Sequence, residues 1–281
     1  MNPLDTPLGF CSNFLFVPGT RPERFIKALD SGAGGVIIDL EDAVAAEDKE
    51  TARNAIRVAW PNFTAEQKKR LVIRSNSPGS QFYSADLILA QELDVACLLI
   101  PKSQSADEMN GAALVLPNTA LIPMIETAIG LDHLREIANA NQVIRLALGN
   151  LDLQADLGMV CDSEESELHT ARYQIILASR VAQIAPPIDG VTPTTDDVVR
   201  IQDDAERAKR MGFGGKLCIH PKQVGIVKAA FMPSGEEIAW AQRVIEADKV
   251  SKGAAVKLDG RMIDRPVVLL AKRTLAIAGK Y

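Results

Sequence analysis

The sequence predicts an α/β protein with the fold of a (β/α)8 TIM barrel, because short apolar runs alternate with longer segments of helical periodicity along the chain. Such alternation is typical of the βαβ units that build a parallel sheet. The chain length of 281 residues also suits a single barrel, which needs about 250 residues. The apolar runs recur roughly every 25 residues, and eight of them fit a closed barrel better than an open sheet.

Each predicted strand is rich in apolar and β-branched residues, as expected when helices cover one face of a sheet and a packed barrel interior covers the other. In chain order the predicted strands are Asn13–Pro18, Gly35–Leu40, Leu71–Asn76, Cys97–Pro101, Ala120–Ile125, Val143–Leu148, Ile188–Val191 and Gly215–Ile219. We therefore expect the barrel to span residues 1–231.

The pattern changes after Met232-Pro233, and residues 232–281 form an extension that a barrel of typical size does not require. A helix is predicted over Glu236–Ser251, followed by an extended piece at Ala254–Asp259, a tight turn at Gly260 and a last helix. We interpret this C-terminal helical extension as either a packing appendage or a lid.

The composition is that of an ordinary globular protein, with 47% hydrophobic residues, 24% charged residues and a net charge of −5. Basic residues are scattered, which argues against a nucleic-acid or membrane surface, and the apolar runs are too short to cross a bilayer. The first ten residues do not resemble a signal peptide, so a cytoplasmic location is expected. Four cysteines without C-x-x-C spacing indicate free thiols, and three scattered histidines argue against a zinc site.

Polar residues concentrate just after the predicted strands. They are Arg21, Glu41-Asp42, Asn76, Lys102, Glu126, the segment Gly149–Gly158 and His220. In a (β/α)8 barrel these positions form the C-terminal rim, where active sites are built. Helix capping would account for one or two of these residues, but not for a whole ring of polar and charged side chains at the rim.

Glu126 and Asp152 follow neighbouring predicted strands, which lie about 4.8 Å apart in a sheet. Their carboxylates can therefore converge above the rim. Two carboxylates with room for water and substrate oxygens suit Mg²⁺. A general acid/base pair or two helix caps would give similar spacing, so the residues alone leave these alternatives open.

Arg74 lies in an otherwise apolar strand, so its guanidinium must emerge at the rim or have an acidic partner. One interpretation is a structural ion pair with Glu41 or Asp42. The other places a fixed cation where the oxygen of an enolate develops during a reaction. The two are compatible, because a paired arginine can still offer free N–H groups.

Several of these segments resemble those of the citrate lyase β-subunit-like proteins in the HpcH/HpaI aldolase and malyl-CoA lyase superfamily. The segments, which run through nearly the whole chain in one order, are Leu15–Arg24, Val36–Val44, Ile73–Asn76, Pro101–Ser103, Ile125–Gly130, Asp152–Gly158, Cys218–Pro221 and Leu258–Asp264.

The resemblance implies a (β/α)8 barrel enzyme, a carbon–carbon lyase, in which Glu126 and Asp152 hold Mg²⁺ and Arg74 contacts the carbonyl of a thioester. It also implies that Asp264 reaches across a subunit interface as a general acid/base, with the extension 232–281 packed on a neighbouring subunit of a homo-oligomer, a trimer or a hexamer. Arg21 and Lys102 are the expected contacts to coenzyme A.

The implied reaction makes or breaks a 3-hydroxyacyl thioester such as malyl-, citramalyl- or citryl-CoA, or an acyl carrier protein thioester, giving a 2-keto acid and acetyl-CoA or a related thioester. Two departures from the family's pattern lie near the substrate: Leu151 stands where an acidic residue is usual, and Ser75 replaces an aliphatic residue. The alternatives are a metal-dependent aldolase of free pyruvate-type substrates and a catalytically silent barrel subunit.

Overall fold

The computed structural model describes residues 6–251 and 253–279. Eight parallel strands close into one barrel in the order of the chain, which confirms the predicted (β/α)8 fold. The strands are β1 (Asn13–Pro18), β2 (Gly35–Asp39), β3 (Leu71–Arg74), β4 (Cys97–Ile100), β5 (Ala120–Ile125), β6 (Ala147–Leu148), β7 (Ile188–Asp189) and β8 (Gly215–Cys218).

Helices follow the strands on the outside of the barrel, and several are preceded by short 3-10 turns. The helices up to the last strand are α1 (Phe25–Asp30), α2 (Lys49–Ala59), α3 (Ala65–Lys68), α4 (Tyr83–Glu92), α5 (Ala106–Val115), α6 (Ala128–Asp132), α7 (Leu134–Ala138), α8 (Asn150–Leu157), α9 (His169–Val181) and α10 (Val198–Met211), with α11 (Pro221–Phe231) after β8. Thr127 and Ser105 cap the helices that follow them by accepting a backbone N–H.

The barrel interior is filled by packed apolar side chains. Members of one buried cluster come from different strands around the barrel, among them Phe14, Ile37, Val72, Ile122 and Leu217. This packing follows from the alternation of inward and outward side chains along each strand.

Six strands are shorter than the sequence predicts, β2, β4 and β8 by one residue, β3 and β7 by two and β6 by four. In the sixth, regular pairing is limited to two residues, although single backbone hydrogen bonds (Ile144 N to Leu121 O, 3.1 Å; Ala185 N to Ile144 O, 2.9 Å) keep the preceding segment beside its neighbours. The seventh stops at Asp189 because the backbone N–H of Val191 donates to the side chain of Asn150 (2.9 Å) instead of continuing the sheet.

The chain divides into two compact units, and the second begins at Ala229. It contains α12 (Gly235–Ser251), a hairpin of β9 (Val256–Leu258) and β10 (Arg261–Ile263), and α13 (Arg265–Ile277). The hairpin turn has Asp259 at φ +49° and Gly260 at φ +80°, the left-handed pair that a two-residue turn requires. The helices and the hairpin enclose a small apolar core of their own. The packing of this extension on a neighbouring subunit stays a prediction.

All four cysteines are free thiols, as the sequence predicts. Within the described ranges, the helices are all too short or too polar to cross a membrane.

Candidate active site

A cavity of about 410 Å³ lies at the carboxyl ends of the strands, the edge that the sequence predicts for an active site. Its lining combines nine apolar side chains with four acids and one arginine. The lining residues are Phe16, Pro18, Asp39, Asp42, Ala43, Arg74, Met124, Glu126, Leu148, Gly149, Asn150, Leu151, Asp152, Val191, Leu217 and Ile219. Three of the predicted site residues, Arg74, Glu126 and Asp152, therefore face one cavity.

Arg74 is held by a two-pronged ion pair with Asp39. Nε and Nη2 of Arg74 each donate to a different oxygen of this carboxylate at 2.6 Å, because the sheet register places the two residues side by side on β2 and β3. Such a fork fixes the guanidinium plane. The guanidinium carbon also lies 4.8 Å from the ring centre of Phe16, and Nη1 lies 3.0 Å from Glu41 Oε2. The ion-pair interpretation is thus correct, with Asp39 as its principal partner.

Burial alone would lower the pKa of Arg74, but the hydrogen bonds and charge of Asp39 hold that pKa above its ordinary value. The guanidinium is therefore a permanent cation with a fixed direction at the edge of the cavity. A group of this kind can stabilise negative charge that develops on a substrate oxygen.

Lys102 places its ammonium among three carboxylates. Its Nζ lies 2.7 Å from Glu41 Oε1, 3.7 Å from Asp152 Oδ1 and 3.9 Å from Glu126 Oε1. Burial lowers the pKa of Lys102, but Glu41, Glu126 and Asp42 together hold that pKa above its usual range. The backbone of Lys102 is left-handed, with φ +48°, a conformation that is costly for a residue with a side chain. The side chain thus points towards the acids of the rim, and its expected contact to coenzyme A stays a prediction.

Glu126 is buried directly after β5. Its Oε1 accepts the backbone N–H of Lys102 at 2.7 Å, and Gly149 packs against its other oxygen because the register pairs the ends of β5 and β6. Burial, together with the negative charges of Glu41 and Asp152, raises the pKa of Glu126 to about 8, although Lys102 opposes the shift. At neutral pH this carboxyl therefore carries a proton unless a cation replaces it.

Asp152 lies in the first turn of α8 with its side chain 45% exposed. The start of this helix is fixed by buried Asn150, whose amide donates to Glu165 Oε1 (2.9 Å) and to Val191 O (3.0 Å). The same side chain accepts the N–H of Val191. Asn150 therefore fixes the backbone that carries Asp152 towards the cavity.

The donor set of this rim suits a hard divalent cation. Glu126 and Asp152 both lie within 4 Å of the Lys102 ammonium, so a cation near that point can reach both carboxylates. Among the described residues, no three His, Cys, Asp or Glu side chains form a metal cluster on their own. A pair of carboxylates is enough for Mg²⁺, which keeps several water ligands.

Three other barrel residues singled out in the sequence, Arg21, Asn76 and His220, are outside the cavity lining, and Asp264 belongs to the second unit. Arg21 is exposed after β1, with Nη1 4.0 Å from Glu23 Oε1. Asn76 donates to Asp86 and shapes the loop after β3, and His220 accepts the backbone N–H of Lys222. In that second unit, Asp264 caps α13 by accepting the N–H of Val267 at 3.4 Å.

Sequence reasoning missed Asn150 and Gly149 as parts of the site. Both residues were counted only within the polar segment Gly149–Gly158, with no role of their own. Their position directly after a strand, immediately before Asp152, is the signal that could have found them. The sequence offered Glu41 and Asp42, and not Asp39, as candidate partners of Arg74.

The fold and the rim define a class: a (β/α)8 barrel whose strand ends bring acids, a fixed arginine and an apolar wall around one cavity. Residues 13–221 match the HpcH/HpaI aldolase/citrate lyase family, and the chain belongs to that family. It is 34% identical over 273 residues to the citrate lyase subunit beta-like protein of Mycobacterium tuberculosis, covering 95% of both chains.

A second relative is the (3S)-malyl-CoA thioesterase of Cereibacter sphaeroides, 32% identical over 269 residues, with 94% of this chain and 93% of the relative covered. Among solved structures, the protein CitE from Mycobacterium tuberculosis in complex with magnesium, acetoacetate and coenzyme A is similar with a TM-score of 0.86. It is 33% identical, and the match covers 96% of this chain and 99% of the other.

Proposed function

We propose that the protein is a Mg²⁺-dependent carbon–carbon lyase that cleaves or forms a 3-hydroxyacyl-CoA, with a 2-keto acid and acetyl-CoA or a related thioester as products. The observation that carries this proposal is the convergence of Glu126 and Asp152 on one point, beside a guanidinium that Asp39 holds in place. The magnesium and coenzyme A bound in the similar CitE structure support the choice of cation and of thioester.

Glu126 and Asp152 would hold the metal, and the bound ion would supply a Lewis acid that orients the hydroxyl and carboxylate oxygens of the acid portion. Burial of Glu126 keeps bulk water from one side of this position. Asn150 fixes the backbone that carries Asp152, and Gly149 packs against the carboxylate of Glu126. The chain thus presents a preformed pair of oxygen ligands.

Arg74 would stabilise the thioester oxygen during cleavage. A general base, for which we propose the carboxylate of Asp264, takes the proton of the substrate hydroxyl; the C=O bond of the keto acid forms as the bond to the α-carbon breaks, and the electron pair of that broken bond enters the thioester enolate. The guanidinium lies at the cavity edge with its plane fixed by Asp39, so no reorganisation is needed as charge develops. Protonation of the α-carbon then gives the acyl-CoA product.

We further propose that Asp264 supplies this proton, acting in the active site of a neighbouring subunit of a homo-oligomer, a trimer or a hexamer. Three observations support this role. Asp264 follows a hairpin with a tight turn, Met262 in that hairpin is 71% exposed, and no ion pair within 4.0 Å joins Asp264 to Arg261 or Arg265 in the described part of the chain. Arg261 instead lies over the ring of Trp240.

Subunit mixing tests this arrangement. Asp264→Asn and Glu126→Ala proteins, each expected to be inactive, are unfolded and reassembled together. Mixed oligomers should regain part of the activity by uniting one intact barrel site with one intact extension. Full activity of an isolated monomer would contradict the arrangement in trans, and an active Asp264→Asn protein would contradict the role of Asp264.

The relative named as a malyl-CoA thioesterase supports a second candidate, hydrolysis of the thioester bond. The products separate the two reactions. With Mg²⁺ and a panel of malyl-, citramalyl-, methylmalyl- and citryl-CoA, a lyase releases keto acid and acyl-CoA in equal amounts without free thiol. A thioesterase releases free coenzyme A thiol and a hydroxy acid. We expect equimolar keto acid and acyl-CoA, abolished by a chelator; free thiol without keto acid would contradict the proposed lyase.

A further inference from the structure

A buried network of charged side chains lies against β7 and β8, outside the lining of the cavity. Arg172 on α9 and Asp189 on β7 are both fully buried, and Nε of Arg172 donates to Oδ1 of Asp189 at 2.9 Å. Lys216 on β8 donates to Oδ2 of Asp189 at 3.1 Å and to the carbonyl of Gly190 at 2.8 Å. Burial raises the pKa of Asp189, but Lys216 and Arg172 lower it to about 2, so this carboxyl stays ionised.

Glu165, just before α9, connects this network to the helix that begins at the cavity. Glu165 is buried, and Nη2 of Arg172 donates to its Oε2. Its other oxygen, Oε1, accepts the side-chain amide of Asn150 at 2.9 Å and that of Gln154 at 3.5 Å. Both amides belong to α8, the helix whose first turn carries Asp152. One carboxylate therefore joins the buried arginine of α9 to the start of α8.

The backbone of Glu165 is left-handed, with φ +49°, a conformation that is costly for a residue with a side chain. Arg172 stabilises this conformation, because its Nη1 donates to the carbonyl of Glu165 at 3.3 Å. Arg207 on α10 adds a second cation, with Nη2 3.2 Å from Oε2 of the same glutamate. Strained residues of this kind cluster at functional sites. Here the strain is retained at a carboxylate on which two arginines and an amide of α8 converge.

Asn150 has its orientation set by this carboxylate. Its Oδ1 accepts the N–H of Val191 at 2.9 Å, and its Nδ2 donates to the carbonyl of Val191 at 3.0 Å. A Cβ atom on Gly190 would stand 2.1 Å from Oδ1, so the amide is tightly enclosed. An ionised carboxylate can only accept hydrogen bonds, so Glu165 requires the NH₂ end of the amide to face it. The oxygen end is then left for the N–H at the end of β7.

We infer that Glu165 is a positioning residue of the metal site: held by Arg172, it fixes the amide of Asn150 and thereby the backbone that presents Asp152. The inference rests on the proposed function, because it takes Asp152 as a ligand of Mg²⁺. Neither Glu165 nor Arg172 lines the cavity, so both act through Asn150. Replacing an outer partner of a metal ligand changes metal affinity or activity by about 10- to 100-fold.

The first test is Glu165→Gln, which keeps the shape of the side chain but leaves it a single acceptor oxygen. That oxygen should bind Arg172, because hydrogen bonds from a charged donor are stronger, and the new NH₂ group then faces the NH₂ group of Asn150. Calorimetric titration of the metal-free protein should show a Kd for Mg²⁺ raised by about tenfold or more. A network that only stabilised the fold would lower the unfolding temperature without changing this Kd. An unchanged Kd in folded Glu165→Gln would therefore overturn the inference.

The second test compares two fully buried arginines, each replaced by lysine. Arg172→Lys keeps the charge but cannot donate to Asp189 and Glu165 from one fixed plane. The matched control is Arg145→Lys, since Arg145 is equally buried and donates to three backbone carbonyls at the opposite end of the barrel. Both variants should unfold at a lower temperature, but only Arg172→Lys should raise the Kd for Mg²⁺, by about tenfold. Equal Kd values in the two variants would overturn the inference, and this pair decides if Glu165→Gln does not fold.

These titrations need no substrate, so they separate the inference from the proposed reaction. If the unmodified protein binds Mg²⁺ but cleaves no thioester, the proposed lyase activity is contradicted, and the Kd values of the variants still decide the role of Glu165. If the unmodified protein does not bind Mg²⁺, the metal site is contradicted, and this inference is overturned with it.

Discussion

Gly149 lies directly against Glu126: a Cβ atom on Gly149 would stand 2.1 Å from Oε2 of that glutamate and 2.6 Å from its Cβ. Real Cβ atoms do not approach other atoms so closely, so Gly149→Ala must displace the carboxylate. A misplacement of about 1 Å in an active site can cost on the order of a hundredfold in rate. We expect Gly149→Ala to lose most of its lyase activity and to bind Mg²⁺ more weakly, as calorimetric titration would measure.

The control for this substitution is Gly111→Ala in α5, where a Cβ atom would meet nothing within 4 Å. This variant should keep its activity and gain slightly in stability, because alanine favours a helix over glycine by about 1 kcal/mol. If Gly149→Ala bound Mg²⁺ as tightly as the Gly111→Ala control, the packing of Gly149 would not matter for the carboxylate.

Lys102 is expected to act as the internal counter-ion of the rim. Its ammonium lies within 4 Å of both proposed metal ligands, so it must repel or yield to an arriving cation. Two unit charges 4 Å apart interact by about 4 kcal/mol at an effective dielectric constant of 20. Lys102→Met should therefore lower the Kd for Mg²⁺ by roughly tenfold or more, and Lys69→Met, which removes an exposed ion pair with Glu66, should leave it unchanged. Weaker Mg²⁺ binding in Lys102→Met would show that this lysine supports the site.

Arg74→Lys should lose about a hundredfold in rate although the charge is kept. A lysine cannot reproduce the fork that holds Asp39 through two nitrogens. The loss of one transition-state contact costs on the order of 3 kcal/mol. The matched control is Arg57→Lys, which alters a surface ion pair with Glu92 and should react at the normal rate. A normal rate for Arg74→Lys would mean that Arg74 only balances the charge of its acidic neighbours.

The affinity for Mg²⁺ should depend on pH through Glu126. Burial and the neighbouring acids raise the pKa of this carboxyl to about 8, so the ion displaces a proton at any lower pH. The Kd for Mg²⁺ should therefore fall as the pH rises towards 8 and level off above it, by up to tenfold per pH unit for one displaced proton. Titrations at pH 6, 7, 8 and 9, in buffers of different ionisation enthalpy, would measure both the affinity and the released proton. A constant Kd with no buffer effect would exclude this linkage.

The barrel and the positions of Glu126, Asp152 and Arg74 at its rim follow from the sequence because apolar runs locate strand ends, and strand ends of a barrel meet on one rim. The partner of Arg74 does not follow, because it depends on the register between β2 and β3, which has no local signal. The direction in which the Lys102 side chain points could not be predicted from the sequence either, because it depends on a left-handed backbone in the loop after β4. Both features depend on tertiary contacts, which local sequence patterns do not reveal.

The place of Leu151 in the cavity is another feature that the sequence alone does not predict. The sequence marks it as a departure from the family's pattern, but only the fold shows that it joins side chains from β7, β8 and β1 on one wall. Residues that are distant in the chain form this surface, so no spacing rule could have grouped them.

Calorimetric titration of the metal-free protein with Mg²⁺, repeated on Glu126→Gln and Asp152→Asn, tests the central claim most directly. Both substitutions keep the size of the side chain and replace the carboxyl group that can bind the ion as a carboxylate with a neutral amide. We expect a single Mg²⁺ site in the unmodified protein, and binding weakened beyond detection in Glu126→Gln and strongly reduced in Asp152→Asn, with thermal unfolding still cooperative in both. An unchanged Kd in either variant would contradict the assignment of that carboxylate to the metal, and unchanged binding in both would contradict the account as a whole.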